Sequence, residues 1–218
     1  MKKILSSILF AFLISTPSLA QVSIGISAAD YGFYAFGTEK TNPGGAQAQD
    51  HSESGAFEES SPSLFVEYDT GVATFGLDII TDTIETPTNK NEQPDGDNTV
   101  KGEFKNHLTL YGIFPVSTPF FDGLYVKAGV GMVDLEGITT GITSSYKDTD
   151  TTFVTVGFGY QYDTGANGVF VRAEVAAASY DDVSVTSTTA STAGGDKNVV
   201  ELTDMLSANA KISVGKSF

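Results

Sequence analysis

The chain has 218 residues, 0 Cys and 0 Trp, and its 27 acidic against 12 basic side chains give a formal net charge of -15 at pH 7. Such a balance excludes nucleic acid and anionic surfaces as partners, because a polyanion is repelled. Without cysteine no disulfide framework is available, so the fold must rest on a closed hydrogen-bonded architecture or a conventional core.

Taken in chain order, the first segment is "MKKILSSILFAFLISTPSLA", with two lysines, an apolar run from Ile4 to Ile14, a proline and then Ser18, Leu19 and Ala20. That layout predicts a secretory signal peptide over 1–20 with Gln21 as the first mature residue. The apolar run is too short to span a bilayer as a helix. No later apolar stretch is longer without a Gly, Ser, Thr or charge, so any membrane residence must be as strands.

From Val22 onward the apolar residues recur at every second position, which is the strand period. Eight segments are predicted: Val22 to Ala35, Ser61 to Asp69, Val72 to Thr81, Glu103 to Phe114, Leu124 to Asp134, Thr151 to Tyr162, Val169 to Tyr180, and Met205 to Phe218. The connections between them alternate. Those after the first, third, fifth and seventh segments are long. The others are short: "DTG" at Asp69 to Gly71, "PVSTPFFDG", and "DTGANG" at Asp163 to Gly168. A meander with long loops on one side and short turns on the other predicts an all-β, eight-stranded antiparallel up-and-down transmembrane β-barrel over 21–218.

Along these segments one phase is apolar, as in Val126, Ala128, Val130 and Met132, or Val154, Val156, Phe158 and Tyr160. The opposite phase mixes small and charged residues, which suits the crowded interior of a narrow barrel. Alternation by itself also fits a secreted barrel that is apolar inside. The strand ends separate the two: Tyr68, Phe114, Phe120, Phe121, Tyr125, Tyr160, Tyr162 and Phe218 all fall toward the short turns, as an interfacial aromatic girdle would.

The last segment runs "KISVGKSF", with Ile212, Val214 and Phe218 on its apolar phase. It resembles the C-terminal recognition strand of bacterial outer-membrane proteins, although Lys216 stands where that pattern often has an aromatic residue. In architecture and in this terminal signal the segment 21–218 resembles the small eight-stranded outer-membrane barrels, the OmpA-like and OmpX-like family. The resemblance implies residence in the cell outer membrane after export through the periplasm. It further implies contact with outer-membrane lipids, delivery by the barrel-assembly machinery using Ile212, Val214 and Phe218, and a monomeric state.

Residues with chemical potential are few. His51 lies in the polar "DHSES" stretch with nothing to position a triad, and His107 falls on the polar phase of the fourth segment. The four long connections hold 18 of the 27 acids against five lysines, in clusters such as "PDGDN" and "KDTD". Neither cluster has the spacing of a cation loop, so a solvated acidic surface, open to an extracellular ligand, is expected. No catalytic residues, metal site or cofactor are predicted. The polar phase carries Glu67, Asp78, Lys105, Lys127, Arg172, Glu174 and Lys211, and Arg172 is the only arginine in the chain. Charges of both signs directed into a narrow barrel must pair, so these seven are expected to form a network that plugs the lumen. The function expected is a structural or surface-interaction role, adhesion-like or in envelope integrity. A narrow pore for small solutes is the alternative, and an enzyme acting on outer-leaflet lipid comes third.

Overall fold

The computed structural model describes residues 21–41, 43, 48–93, 96–119, 122–140, 145–188 and 197–218. The expected leader over 1–20, Phe120 and Phe121 of the expected girdle, and Pro94 and Asp95 of the acidic cluster lie outside the described residues.

Among the described residues eleven strands are formed: β1 (Gln21–Thr41), β2 (Gln49–Asp69), β3 (Thr74–Ile80), β4 (Ile84–Glu85), β5 (Asn89–Gln93), β6 (Gly96–Pro115), β7 (Leu124–Thr140), β8 (Thr149–Asp163), β9 (Val169–Tyr180), β10 (Val183–Thr186) and β11 (Val199–Ser217). Eight of them, β1, β2, β3, β6, β7, β8, β9 and β11, pair in that order with all neighbours antiparallel. Pairing of β1 with β11 closes the ring. The short β4 and β5 lie along β6, and β10 lies beside β11.

The pairing registers define the geometry of closure. A trace leaving β1 at Val22 passes through Tyr68, Phe75, Gly112, Ala128, Val156, Ala177 and Ala208 and returns to β1 at Gly32, ten residues further on. With about 3.3 Å per residue and about 4.8 Å between strands, that stagger tilts the strands by about 40°. It also lifts Gly32 roughly 25 Å above Val22 along the axis, the height of an outer-membrane apolar band.

Outward side chains in that interval are apolar: Ile24 and Ile26 on β1, Leu64 and Val66 on β2, Val126 and Val130 on β7, Val154, Val156 and Phe158 on β8, and Ile212 and Val214 on β11 are all exposed. Toward the top of that interval the outward row turns polar, beginning at Asp30, Ser60, Lys105, Asp134 and Thr152. At the short-turn end Phe114, Tyr160, Tyr162 and Phe218 stand exposed on the outside. Tyr125, expected among them, is instead buried in the lumen, because it alternates with the outward Val126.

Most strands run further into the expected loops than the apolar alternation does. β1 and β2 extend to Thr41 and from Gln49, so much of the first long connection, including His51 opposite Glu39, is a paired hairpin arm. Hydrophobic period marks only the stretch that has an apolar face. Backbone N–H and C=O groups go on pairing wherever a neighbouring strand continues.

Two bulges reset the alternation. The β6–β7 register shifts between Lys105 and Leu108, with Asn106 at φ 53°, and the β1–β11 register shifts between Tyr34 and Phe36, with Asp204 of β11 at φ 52°. Each inserts one residue into one strand, so side chains beyond it swap faces.

Candidate functional site: the barrel interior

The interior has two layers. Toward the long connections it is apolar: Tyr31, Phe33, Ile80, Ile84, Val133, Phe153, Tyr180, Val183 and Met205 are buried, with Phe57, Phe104, Leu135 and Leu202 packed on them. Phe33 stacks on Phe57 and Phe104 at centroid distances of 4.9 and 5.6 Å. Toward the short turns the filling is ionic.

Arg172 on β9 reaches across the lumen to Glu67 on β2, with Nη1 donating to Oε1 at 2.5 Å and Nη2 to Oε2 at 2.9 Å. This two-pronged pairing is available to the planar guanidinium and not to lysine. Arg172 Nε donates to Gln161 Oε1 at 2.7 Å, and the guanidinium lies over the rings of Phe170 (4.5 Å), Phe65 (5.7 Å) and Tyr125 (5.8 Å). The Tyr111 hydroxyl donates to Glu67 at 2.7 Å. Glu174, two residues from Arg172, pairs elsewhere: it accepts from Lys127 Nζ at 2.9 Å and from the Tyr125 hydroxyl at 3.0 Å. Lys211 donates to Asp78 at 2.9 Å, and Ser63 donates to the same carboxylate oxygen at 3.2 Å. Six of the seven residues expected in the lumen therefore form three buried pairs there, and Tyr111 and Tyr125 join the Arg172–Glu67 pair to the Lys127–Glu174 pair.

Lys105 is the exception. The bulge at Asn106 turns it to the outside, where it meets Glu136 at 2.5 Å and Glu103 at 2.7 Å, while Lys101 joins Glu85 at 2.6 Å and Glu103 at 3.1 Å. Its intervening neighbour Phe104 faces inward, where the period-two reading would have put the lysine. An asparagine within the strand, a residue type that tolerates positive φ, is the sequence feature that could have signalled the change.

Four lumen residues, Phe65, Tyr111, Gln161 and Phe170, carry no role in the alternation-based reading, and Tyr125 is expected in the girdle instead. A pattern links the aromatic ones: Phe65, Tyr111, Tyr125, Phe153 and Phe170 sit directly across from Gly25, Gly76, Gly159, Gly131 and Gly215 on the next strand. Each ring occupies the space a Cβ on its glycine would need. These five glycines of the polar phase are thus the seats of rings that fill the lumen.

Between the ionic and apolar layers lies a small cavity of about 30 Å³ bordered by His107, Asn209, Asp78 and Lys211. His107 stacks on Phe153 at 4.7 Å, and its Nε2 is 3.5 Å from the Tyr180 hydroxyl. On the outer surface of β11, Ile212, Val214 and Phe218 are exposed. The Phe218 N–H donates to the Val22 carbonyl at 2.9 Å, and Lys216 Nζ lies 5.0 Å from the Phe218 ring.

A closed ring of eight tilted antiparallel strands, apolar outside and ionic within, is the fold of the small eight-stranded outer-membrane β-barrels. Among solved structures the chain is similar to the outer membrane protein OprG from Pseudomonas aeruginosa, at TM-score 0.53 and 13% identity over 88% of this chain and 95% of that one. Weaker likenesses are to the outer membrane protein AlkL, with TM-score 0.46 and 13% identity over 89% and 90% of the two chains, and to Neisserial surface protein A, with TM-score 0.39 and 13% identity over 88% and 97%. No family model and no curated protein matches the chain.

Proposed function

We propose that this protein is an outer-membrane barrel whose lumen is closed and whose work is done at the cell surface, as a scaffold that presents an extended acidic β-structure. The observation that carries the reading is the cross-lumen layer of Arg172–Glu67, Lys127–Glu174 and Lys211–Asp78, sealed by rings seated on glycines and capped by an apolar layer. A pore for polar solutes needs continuous water along its axis, whereas here the side chains occupy it. The apolar outer band supports residence among outer-membrane lipids. The outward row of Ile212, Val214 and Phe218 on the ring-closing strand is the surface we assign to recognition by the barrel-assembly machinery, and the exposed acids beyond the band are assigned to an extracellular ligand.

Conductance of the refolded mature barrel in planar bilayers tests the closed lumen. A silent bilayer, with steps appearing on Arg172→Ala, is the expected result. Steady channels in the parent protein that the substitution leaves unchanged would favour a narrow pore instead.

A further inference from the structure

We propose that the outer half of β2 is a docking edge for an extended, lysine- or arginine-rich peptide segment of a partner, which adds to the sheet as an extra strand. The inference names a partner class for the surface-presenting reading above and rests on its claim that this half of the barrel is exposed.

The topology leaves the edge open. β2 runs from Gln49 to Asp69 and pairs with β1 along its whole length, but β3 ends at Ile80, opposite Ser63, and the last bond on that side is from the Thr81 N–H to the Pro62 carbonyl. Beyond this point β4 and β5 follow β6, and among the described residues no strand pairs with β2 from Asp50 to Glu58.

The direction of each backbone group follows from that last bond. In an antiparallel ladder the N–H and C=O of one residue point to the same side and alternate along the strand. The Pro62 carbonyl points to the β3 side, so the even-numbered residues Asp50, Ser52, Ser54, Ala56 and Glu58 direct their N–H and C=O groups to the open side, while their odd-numbered neighbours bond to β1. Pro62 itself, lacking an N–H, sits where the ladder stops, as proline does on edge strands. All five even-numbered residues are exposed.

Exposed edges of this length are templates for strand addition, giving affinity through main-chain bonds. Side chains choose the partner. The segment carries Asp50, Glu53, Glu58 and Glu59 with no lysine or arginine. Two copies of this edge would therefore bring like charges face to face, which is unfavourable across a strand pair, whereas a basic strand meets opposite charges. The acidic edge excludes self-pairing and selects a cationic chain.

The test uses the mature barrel refolded in detergent and a synthetic ten-residue peptide alternating Lys and Val. Hydrogen exchange should show the amides of Ser52, Ser54, Ala56 and Glu58 slowed at least tenfold by the peptide, with the odd-numbered amides already slow without it. An alternating Glu and Val peptide should leave them unchanged. Ala56→Pro removes one edge-facing N–H and spares the β1 ladder, so binding should fall at least tenfold while the heat-resistant gel mobility of the folded barrel stays. Equal binding of both peptides, equal binding to Ala56→Pro, even-numbered amides slow before any peptide is added, or a β2–β2 dimer that the peptide fails to displace would each overturn the proposal. None of these readouts depends on conductance or on cell location.

Discussion

Arg172 concentrates the argument at the scale of single residues, because one guanidinium satisfies Glu67 through two bonds, takes Gln161 on its third face and rests among three rings. Removing it leaves a buried carboxylate whose remaining partner is the Tyr111 hydroxyl. Arg172→Ala should therefore cost about 3–5 kcal/mol, less where water replaces the lost side chain. Urea-unfolding midpoints measure it. The pair Arg172→Ala with Glu67→Gln should recover part of the loss; a double variant as unstable as the sum of its singles would show that the two residues do not act on each other. Gly76 offers a second test. A methyl group there meets the Tyr111 ring, so Gly76→Ala should displace that ring from Glu67 and destabilise by about 1–3 kcal/mol. An unchanged unfolding midpoint would mean that the rings are not seated on the glycines as tightly as the lumen geometry requires.

At the scale of elements, the bulge in β6 decides what the outer end of the barrel shows to its surroundings. It puts Glu103 between Lys101 and Lys105 on the outside and Phe104 on the inside. Asn106→Val disfavours the positive φ that the bulge needs, and without the bulge strict alternation would drive Glu103 and Lys105 into the apolar layer and expel Phe104. The expected result is a lower yield of the folded, heat-resistant species, while Asn106→Gly, which accepts a positive φ, should fold normally. The same cluster predicts a pH response. Hydrogen bonds from Lys105 and then Lys101 hold the Glu103 carboxyl below its ordinary range, and the Glu103 and Glu136 carboxylates raise the Lys105 ammonium. A depressed carboxyl contributes stability that is complete above its unfolded value of about 4.3 and fades as pH falls through the folded one. Raised lysines contribute until pH climbs past their folded values. Amide protection factors along β4 and the outer end of β6, corrected for intrinsic exchange at each pH, should accordingly hold steady from neutral into alkaline solution and fall only below about pH 4. Glu103→Gln should remove that acid step; if the step persists, it belongs to another group.

For the whole molecule, the ten-residue stagger, the outward apolar band and the inward ions are one statement. The chain is a barrel turned inside out relative to a water-soluble one, with its long connections at the end opposite the aromatic girdle. A protease specific for acidic residues, added to intact cells, should cut near Asp181 and Asp182 and spare the turns at Asp69 and Asp163. Cleavage confined to those turns would reverse the orientation. The barrel is also asymmetric in wall height, since β3 stops at Ile80 while β1 and β2 continue to Thr41 and from Gln49, and this asymmetry makes the docking edge.

The eight strands of the ring, their antiparallel order and the alternation of long and short connections were determined by the sequence, because side-chain alternation has period two and turns carry their own chemistry; the short β4, β5 and β10 were not. β9, expected over Val169 to Tyr180, has those limits in the structure. The alternation also placed Glu67, Asp78, Lys127, Arg172, Glu174 and Lys211 on one face. Only the tertiary structure decided which of them meet: Arg172 takes Glu67, 105 positions away, rather than Glu174 beside it, because curvature and stagger bring β9 and β2 together across the lumen. Lys105 was lost from the set because a single inserted residue reverses a strand's faces without leaving a periodic trace. The inward place of Tyr125 and the free edge of β2 depend likewise on register and on where a neighbouring strand ends. Those are properties of paired backbones, and a one-dimensional pattern of side chains does not contain them.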